Sequence, residues 1–534
     1  MKYFFIAGLV LLTCKISYAQ NALDALRYSY TTPGGSARIQ AIGGSNISLG
    51  GDISSAFINP AGLAQFKTNE FVFSPGFFMN KAKLNYNDST FKGNKSNVNY
   101  GTTGIIFSQG ARFESSNLRN TTISFAFNQS ANFNSNFSYK GRNNFSSFSE
   151  KWVEELVYFN VTNIDDALKN FPAGASMAFE SYLIDTIAGF TGYQTNADIS
   201  KMPLDQSFSY KTRGGMHEAA FAIAGNFKEK YLYGITIGLP IINYTRESTV
   251  IEKDGSNNPN NDFESFNFSE TFSTKGNGFN AKLGMIFKPV EYFRLGFTFH
   301  TPSLLTLTDR TNVTLTSNIE NYSRRINNDN TKPTSYTYST HDYTDGNDYT
   351  YKYQLLTPWR LGASAAYVFR EIKDVTKQKA FITADVELVN YKFMQYSSNV
   401  SNATADEEAY FKSVNQSIDD LYKMAINARI GGELKFKTLM VRGGFSYMSS
   451  PYQKKMLPAG AKGWKMTPSF GLGYRDKGFF VDITYSHMLG RDIHIPYILQ
   501  GDPNNTDPNK QPRYPIAKNN FTNGQIVASV GVKF

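Results

Sequence analysis

The last ten residues, Gln525 to Phe534, read Q-I-V-A-S-V-G-V-K-F. Ile526, Ala528, Val530, Val532 and Phe534 share one face, while Gln525, Ser529, Gly531 and Lys533 fall mostly on the other. A period of two with one apolar and one polar face describes a strand between two different media. Comparable segments recur near 69–86, 97–108, 119–140, 206–227, 231–252, 265–288 and 292–316. They continue near 350–369, 380–397, 424–436, 438–450, 465–475, 478–490 and 524–534. The pattern predicts an all-β chain closed into an antiparallel transmembrane barrel of about 14 strands, an even number as in single-chain bacterial barrels.

The amino terminus identifies the second medium as a membrane reached by export. Lys2 is followed by the apolar run Phe4 to Thr13, which is too short to span a bilayer, and then by Ser17-Tyr18-Ala19. Residues 1–19 therefore read as a signal peptide cut after Ala19. The single cysteine, Cys14, leaves with it, so disulfide and thiolate chemistry are excluded from the mature chain. No other apolar run approaches the ~18 residues of a spanning helix. Charged residues make up 18% and aromatics 15%, with 33 Tyr and 44 Phe, a balance suited to an apolar band with aromatic girdles.

The connections follow the same logic. Short links at Phe227–Tyr231, Lys288–Tyr292, Lys435–Thr438 and Arg475–Gly478 alternate with long polar ones at 141–205, 317–349, 398–423 and 491–523. Short inner turns and long outer loops are the expected asymmetry of such barrels. Barrel and loops together occupy 67–534. The terminal aromatic strand is the kind of signal read by barrel assembly machinery, and outer-membrane lipid is the expected surrounding.

Alternation also assigns faces. Phe293, Leu295, Phe297 and Phe299 point to lipid, which turns Arg294, Thr298 and His300 inward. Lys282, Arg360, Asp385, Glu387, Arg429, Glu433, Arg442 and Asp482 follow them into the lumen. A compensated polar lumen is the plain reading, and Lys282, Arg294 and Arg360 are the candidates to meet an anionic head group. The net charge of +10 is scattered through turns and strands without a basic cluster, so nucleic acid is not an expected partner.

Residues 20–66 lack strand alternation yet are too apolar for a free tail. Gly43-Gly44, Gly50-Gly51 and Asn59-Pro60-Ala61-Gly62-Leu63 suggest a compact plug inside the barrel. Pro75-Gly76 interrupts the first strand and is a candidate lateral opening, because proline removes a ladder hydrogen bond. In the loop 141–205, Trp152, Leu156 and Phe159 fall at helical spacing, as do Phe179, Tyr182, Leu183 and Ile187. Two amphipathic helices follow, either packed together as a lid or forming a groove that captures hydrophobic molecules. A more acidic helix near 405–424 reads as a solvated cap.

Catalytic and cofactor signatures do not emerge. His217, His300, His341, His487 and His494 show no zinc spacing, and there is no G-x-S-x-G elbow or phosphate-binding loop. No enzyme, metal or cofactor is expected. Asp342–Asp348 misses the calcium-loop spacing and reads as a solvated loop.

Gly34–Leu63, with G-G-S-A-R, A-I-G-G and N-P-A-G-L in order, resembles the hatch of the FadL/TodX family of outer-membrane transporters. Gly276-Asn277-Gly278-Phe279, Lys288-Pro289, Thr301-Pro302 and Thr357-Pro358-Trp359-Arg360 extend the resemblance along the chain. It implies passive uptake of long-chain fatty acids or hydrocarbons, with Asn59, Pro60 and Ala61 in the gating element and sideways release into a Gram-negative outer membrane. PorV-like secretion scaffolds carry similar hatch motifs and form an alternative. A haem receptor, with His300 on iron, is the other.

Overall fold

The computed structural model describes residues 16–534 except 33, 88, 112–115, 190–191, 257, 370–378, 401–402, 455–461, 498 and 500–514. Most of the predicted leader, 1–15, lies outside the described residues. The chain forms a closed barrel of 14 antiparallel strands. In chain order these are β1 (Glu70–Phe73 and Pro75–Tyr86), β2 (Ser89–Tyr100 and Thr103–Gly110), β3 (Leu118–Asn132 and Ser135–Asn143), β4 (Leu204–Phe227) and β5 (Tyr231–Asp254). They continue as β6 (Ser265–Val290), β7 (Phe293–His300 and Leu304–Asn318), β8 (Tyr349–Leu356 and Arg360–Phe369) and β9 (Ala380–Asn390 and Gln395–Ser398). The last five are β10 (Met424–Phe436), β11 (Leu439–Met448), β12 (Lys465–Asp476), β13 (Phe479–His494) and β14 (Ala517–Lys533). Closure is made by β14 against β1, with Phe71 opposite Val532 and Phe77 opposite Ile526.

The exterior shows why these sequences become strands. On β5, Tyr231, Tyr233, Ile235, Ile237, Leu239 and Ile241 are exposed, while Leu232 between the first two and Ile242 just after the last are buried. At ordinary rise and tilt this row covers about 25 Å, the height of a hydrocarbon band. Asn243 and Glu247 then continue the same face in polar form. Interruptions in β7 and β8 fall at Pro302 and Pro358, which have no N–H to give the ladder.

β2 starts at Ser89 and β14 at Ala517, both earlier than their alternation indicates. Above the apolar band neither face is apolar, so the period of two no longer carries a signal. Every long connection lies at the same end of the barrel, opposite the short turns such as 228–230 and 437–438.

The 144–203 connection folds into α4 (Glu150–Tyr158), α5 (Ile164–Lys169) and α6 (Ala175–Glu180) plus a small hairpin, Ile184–Thr186 with Tyr193–Thr195. A short helix, α7 (Tyr322–Asn327), sits in the next loop, and α8 (Ala405–Leu421) lies in the loop before β10. The amino-terminal segment enters the lumen as three further helices: α1 (Ile16–Ser29), α2 (Ala37–Ala41) and α3 (Ser55–Ile58), followed by a 3-10 turn at Pro60–Gln65.

Candidate functional site

The plug is held by backbone contacts that only small wall residues permit. Asn59 is fully buried and caps the Pro60–Gln65 turn by accepting from the Ala61 N–H at 3.1 Å. Its amide nitrogen donates to the carbonyl oxygens of Ile47 at 2.6 Å, Phe297 at 3.2 Å and Met285 at 3.3 Å. Gly234 and Gly284 are paired across β5 and β6 beneath this turn. A β-carbon on Gly234 would lie 2.5 Å from the Pro60 carbonyl carbon, so the N-P-A run rests directly on the wall.

A second anchor faces it. The buried Asp385 carboxylate accepts from the Ser45 hydroxyl at 2.7 Å, the N–H groups of Asn46 and Ile47 at 2.9 and 3.1 Å, and the Ser364 hydroxyl at 2.6 Å. Arg294 supports the same segment by donating to the Leu49 carbonyl at 3.0 Å and to Gln65 at 3.1 Å. Closer to the turn end, Arg442 bridges Glu433 at 2.6 Å and Asp482 at 2.5 Å, a buried set that also borders Arg38 of the plug.

Above the plug lies a cavity of about 140 Å3 lined by Gly35, Phe57, Glu218, Lys282, His300 and Arg360 among others. Lys282 is ion-paired to Glu218, and Arg429 to Glu387 at 2.6 Å. Arg360 differs: it donates to the Ser29 carbonyl at 2.8 Å and to the Thr31 hydroxyl, both neutral oxygens. His300 uses Nε2 to meet the Ile58 carbonyl at 2.9 Å, so this ring is already tied to the plug. No group of three or more metal-ligating side chains occurs among the described residues.

Over the cavity is an aromatic chamber, filled by the packed side chains of α1, that sequence reasoning missed. Ala22, Ala25 and Tyr28 of α1 are buried against Tyr244, Leu307, Tyr353 and Leu355 of the wall and Phe411, Val414 and Ile418 of α8. Tyr422 donates to the Ala22 carbonyl at 2.8 Å, and the Tyr28 hydroxyl meets Thr274 at 2.7 Å. α8 is thus more than a solvated cap: its apolar stripe closes the chamber. The spacing of Phe411, Val414 and Ile418 was the available signal, masked by the flanking acidic residues.

The capture candidates sit elsewhere. Trp152, Leu156 and Leu183 are buried in a core belonging to the outer lid, with Phe179 half-buried against it. Trp152 lies 5.3 Å from the Phe148 ring and 5.2 Å from that of Phe268. Tyr182 contacts the rings of Tyr322 and Tyr336, whereas Phe159 is 57% exposed beside Phe171. These residues do not line the chamber.

The wall has a seam between β2 and β3. β2 pairs with β3 from Thr103 opposite Phe127 to Gly110 opposite Asn120, but Ser89–Tyr100 forms no ladder with β3. β3 breaks at Phe133-Asn134, and its upper part crosses the inner side of β2: a β-carbon on Gly93 would lie 2.2 Å from the Asn136 carbonyl oxygen. Asn97 Oδ1, Asn99 Oδ1, Gln129 Oε1 and Asn132 Nδ2 along this seam are buried without hydrogen-bond partners. Pro75 and Gly76 are inside the ladder, opposite Tyr100 and Asn99, one strand away from it.

A closed barrel with an apolar outer band and a folded segment filling its lumen is a transmembrane β-barrel with a hatch. Its fold is similar to that of a Pseudomonas aeruginosa FadL homologue, at 11% identity over 95% of this chain and 100% of that one, with a TM-score of 0.52. The Pseudomonas putida toluene transporter TodX aligns at 13% identity over 94% of this chain and 99% of that one, with a TM-score of 0.49. No protein-family model matches the chain, and neither does any curated protein.

Proposed function

We propose that this barrel admits hydrophobic small molecules, fatty acids or hydrocarbons, through the outer membrane of a Gram-negative bacterium by passive diffusion. The observation that carries the reading is the aromatic chamber, closed above by α8 and occupied by α1, stacked directly over a cavity bordered by Arg360. An apolar guest that took the place of α1 in this cluster would gain about 25 cal/mol per Å2 of apolar surface it buries. A ligand would displace Tyr28 and its neighbours, leave any carboxylate near Arg360, and depart through the seam between β2 and β3. With the hatch anchored at Asn59 and Asp385, the movement would fall on Ser29, Thr31, Thr32, Gly34 and Gly35, which line the cavity. Residues 1–19 would direct export, and the β14 terminus would engage assembly machinery.

The test is mass spectrometry of lipids co-purifying with the barrel, paired with uptake of a fluorescent fatty acid into proteoliposomes. An empty chamber together with uptake no faster than in protein-free vesicles overturns the transport reading.

A further inference from the structure

The exposed side chains above the apolar band are not alike around the barrel. On β4 and β5, Lys211 and Arg213 are both paired with Glu247 at 3.1 Å, and Arg142 on β3 is paired with Asp205 at 2.9 Å. Above the band on β2, β1, β14 and β13, the exposed cations make no ion pair among the described residues. One register row reads Lys92, Lys83, Asn520 and Arg491 across four adjacent strands. The row nearer the band holds Lys81 opposite Thr522, and the row beyond it holds Lys518 opposite Asn85. All five cations are exposed, and none makes an ion pair among the described residues. Asp492 follows Arg491 in sequence and alternates to the lumen face, where it interacts with Lys465.

The placement is unfavourable for the bare protein. Lys83 and Lys92 are directly opposed, with β-carbons about 5 Å apart, a spacing at which like charges destabilise a strand pair. The same outward face carries Phe77 and Ile526 below the cations, and Leu489 lies one step below Arg491, so the patch begins where the hydrocarbon band ends. Cations grouped across about 15 Å of sheet at that height face the phosphates of the outer leaflet.

We propose that this face binds the phosphorylated head group of an outer-leaflet glycolipid, with Lys81, Lys83, Lys92, Arg491 and Lys518 sharing its phosphates. The site rests on the outer-membrane reading and is independent of the chamber. Its occupant neutralises the Lys83–Lys92 repulsion and orders lipid beside the seam.

The experiment compares the full-length barrel with a variant carrying Lys81→Gln, Lys83→Gln, Lys92→Gln and Lys518→Gln, positions whose side chains are exposed. Both are inserted in phosphatidylcholine vesicles doped with diphosphoryl lipid A, extracted, and analysed by native mass spectrometry. The wild type is expected to retain lipid A at least about tenfold better than the variant, and salt should strip it. Lys→Arg replacements at the same positions should restore retention. Equal retention by the Gln variant overturns the site. Displacement by inorganic phosphate at equal phosphate concentration overturns the lipid assignment. Failure of the wild type to insert overturns the membrane reading itself, whereas normal fatty-acid uptake by the Gln variant separates this site from the chamber.

Discussion

A β-carbon on Gly284 would lie 1.8 Å from the side-chain oxygen of Asn59, so the hatch and the barrel wall are fitted to each other at atomic contact. Gly284→Val is therefore expected to push the Pro60–Gln65 turn off the wall. The expected outcome is a barrel that still closes but conducts small ions in planar bilayers, where the parent is silent. Asn59→Ala strands the Ile47 carbonyl and should destabilise the hatch by about 1–3 kcal/mol, measurable as faster hydrogen exchange in residues 45–65.

Asp385 makes the complementary prediction from the other wall. It receives four hydrogen bonds, three of them from the hatch residues Ser45, Asn46 and Ile47. Asp385→Ala removes the acceptor for two buried N–H groups at once, so the loss should exceed about 2 kcal/mol. Asp385→Asn keeps one acceptor oxygen and should lose less. The two variants, ranked by hatch exchange, separate hydrogen bonding from packing.

How much was legible in the chain depended on where each residue meets its medium. Strand number and facing were readable because Phe297 and Phe299 meet lipid while Arg294 and Thr298 meet the hatch, a contrast repeated along every apolar band. The plug was readable from Asn59-Pro60-Ala61, whose turn chemistry is local. The seam was not, because it is an absence of pairing between two polar segments, neither of which alternates. The chamber was hidden because its lining comes from β5, β7, β8 and α8, and its occupant α1 carries the small residues Ala22 and Ala25. The basic patch was invisible because Lys83, Lys92 and Arg491 become neighbours only through strand register.

The outer lid should loosen as pH rises through neutrality. Burial, with help from Glu154 and Asp198, pushes the Glu150 carboxyl up to about 7, against the Ser147 N–H that lowers it. A carboxyl whose folded value is raised holds a proton that the unfolded chain has already released. Its contribution is therefore full below about 4.5 and is lost as pH climbs to about 7. Burial also pushes Lys151 down to about 8, so that residue restores stability only above this value. Hydrogen exchange around Trp152, corrected for intrinsic rate, should be several-fold faster at pH 7.5 than at pH 5. Glu150→Gln should reduce that difference, with the buried Glu252 carboxylate bound to Ser147 and Phe148 retaining part of it.

Arg360 separates charged from uncharged ligands. Its guanidinium donates hydrogen bonds to Ser29 and Thr31, oxygens that would leave if the amino-terminal segment moved, and it also interacts with the nearby Glu387 carboxylate. Arg360→Gln should weaken binding of a fatty acid about tenfold, the worth of one charge-assisted hydrogen bond, and leave the matching hydrocarbon unchanged. Paired equilibrium titrations with the acid and the hydrocarbon check it. Equal weakening of both would place the acid's carboxylate elsewhere.

Removal of α1 tests the chamber most directly. The helix offers Ala22 and Ala25 to the aromatic wall, and Tyr28 stands 6.2 Å from the rings of both Phe133 and Tyr244. Deleting residues 20–32 keeps Ser36–Gln65 in place, held through Asn59 to the Met285 and Phe297 carbonyls and through Ser45, Asn46 and Ile47 to Asp385. It uncovers Tyr353, Leu355, Phe411 and Ile418, which then face an open lumen. If α1 stands where ligand would sit, the truncated barrel should bind an apolar fluorescent probe more tightly and take up hydrocarbon faster, while its conductance stays low because the hatch is intact. If α1 serves only to hold α8, the truncation should instead raise hydrogen exchange across Ala405–Leu421 with no gain in probe affinity. The two outcomes differ in sign at the probe, so a single titration of the truncated and full-length barrels decides between them.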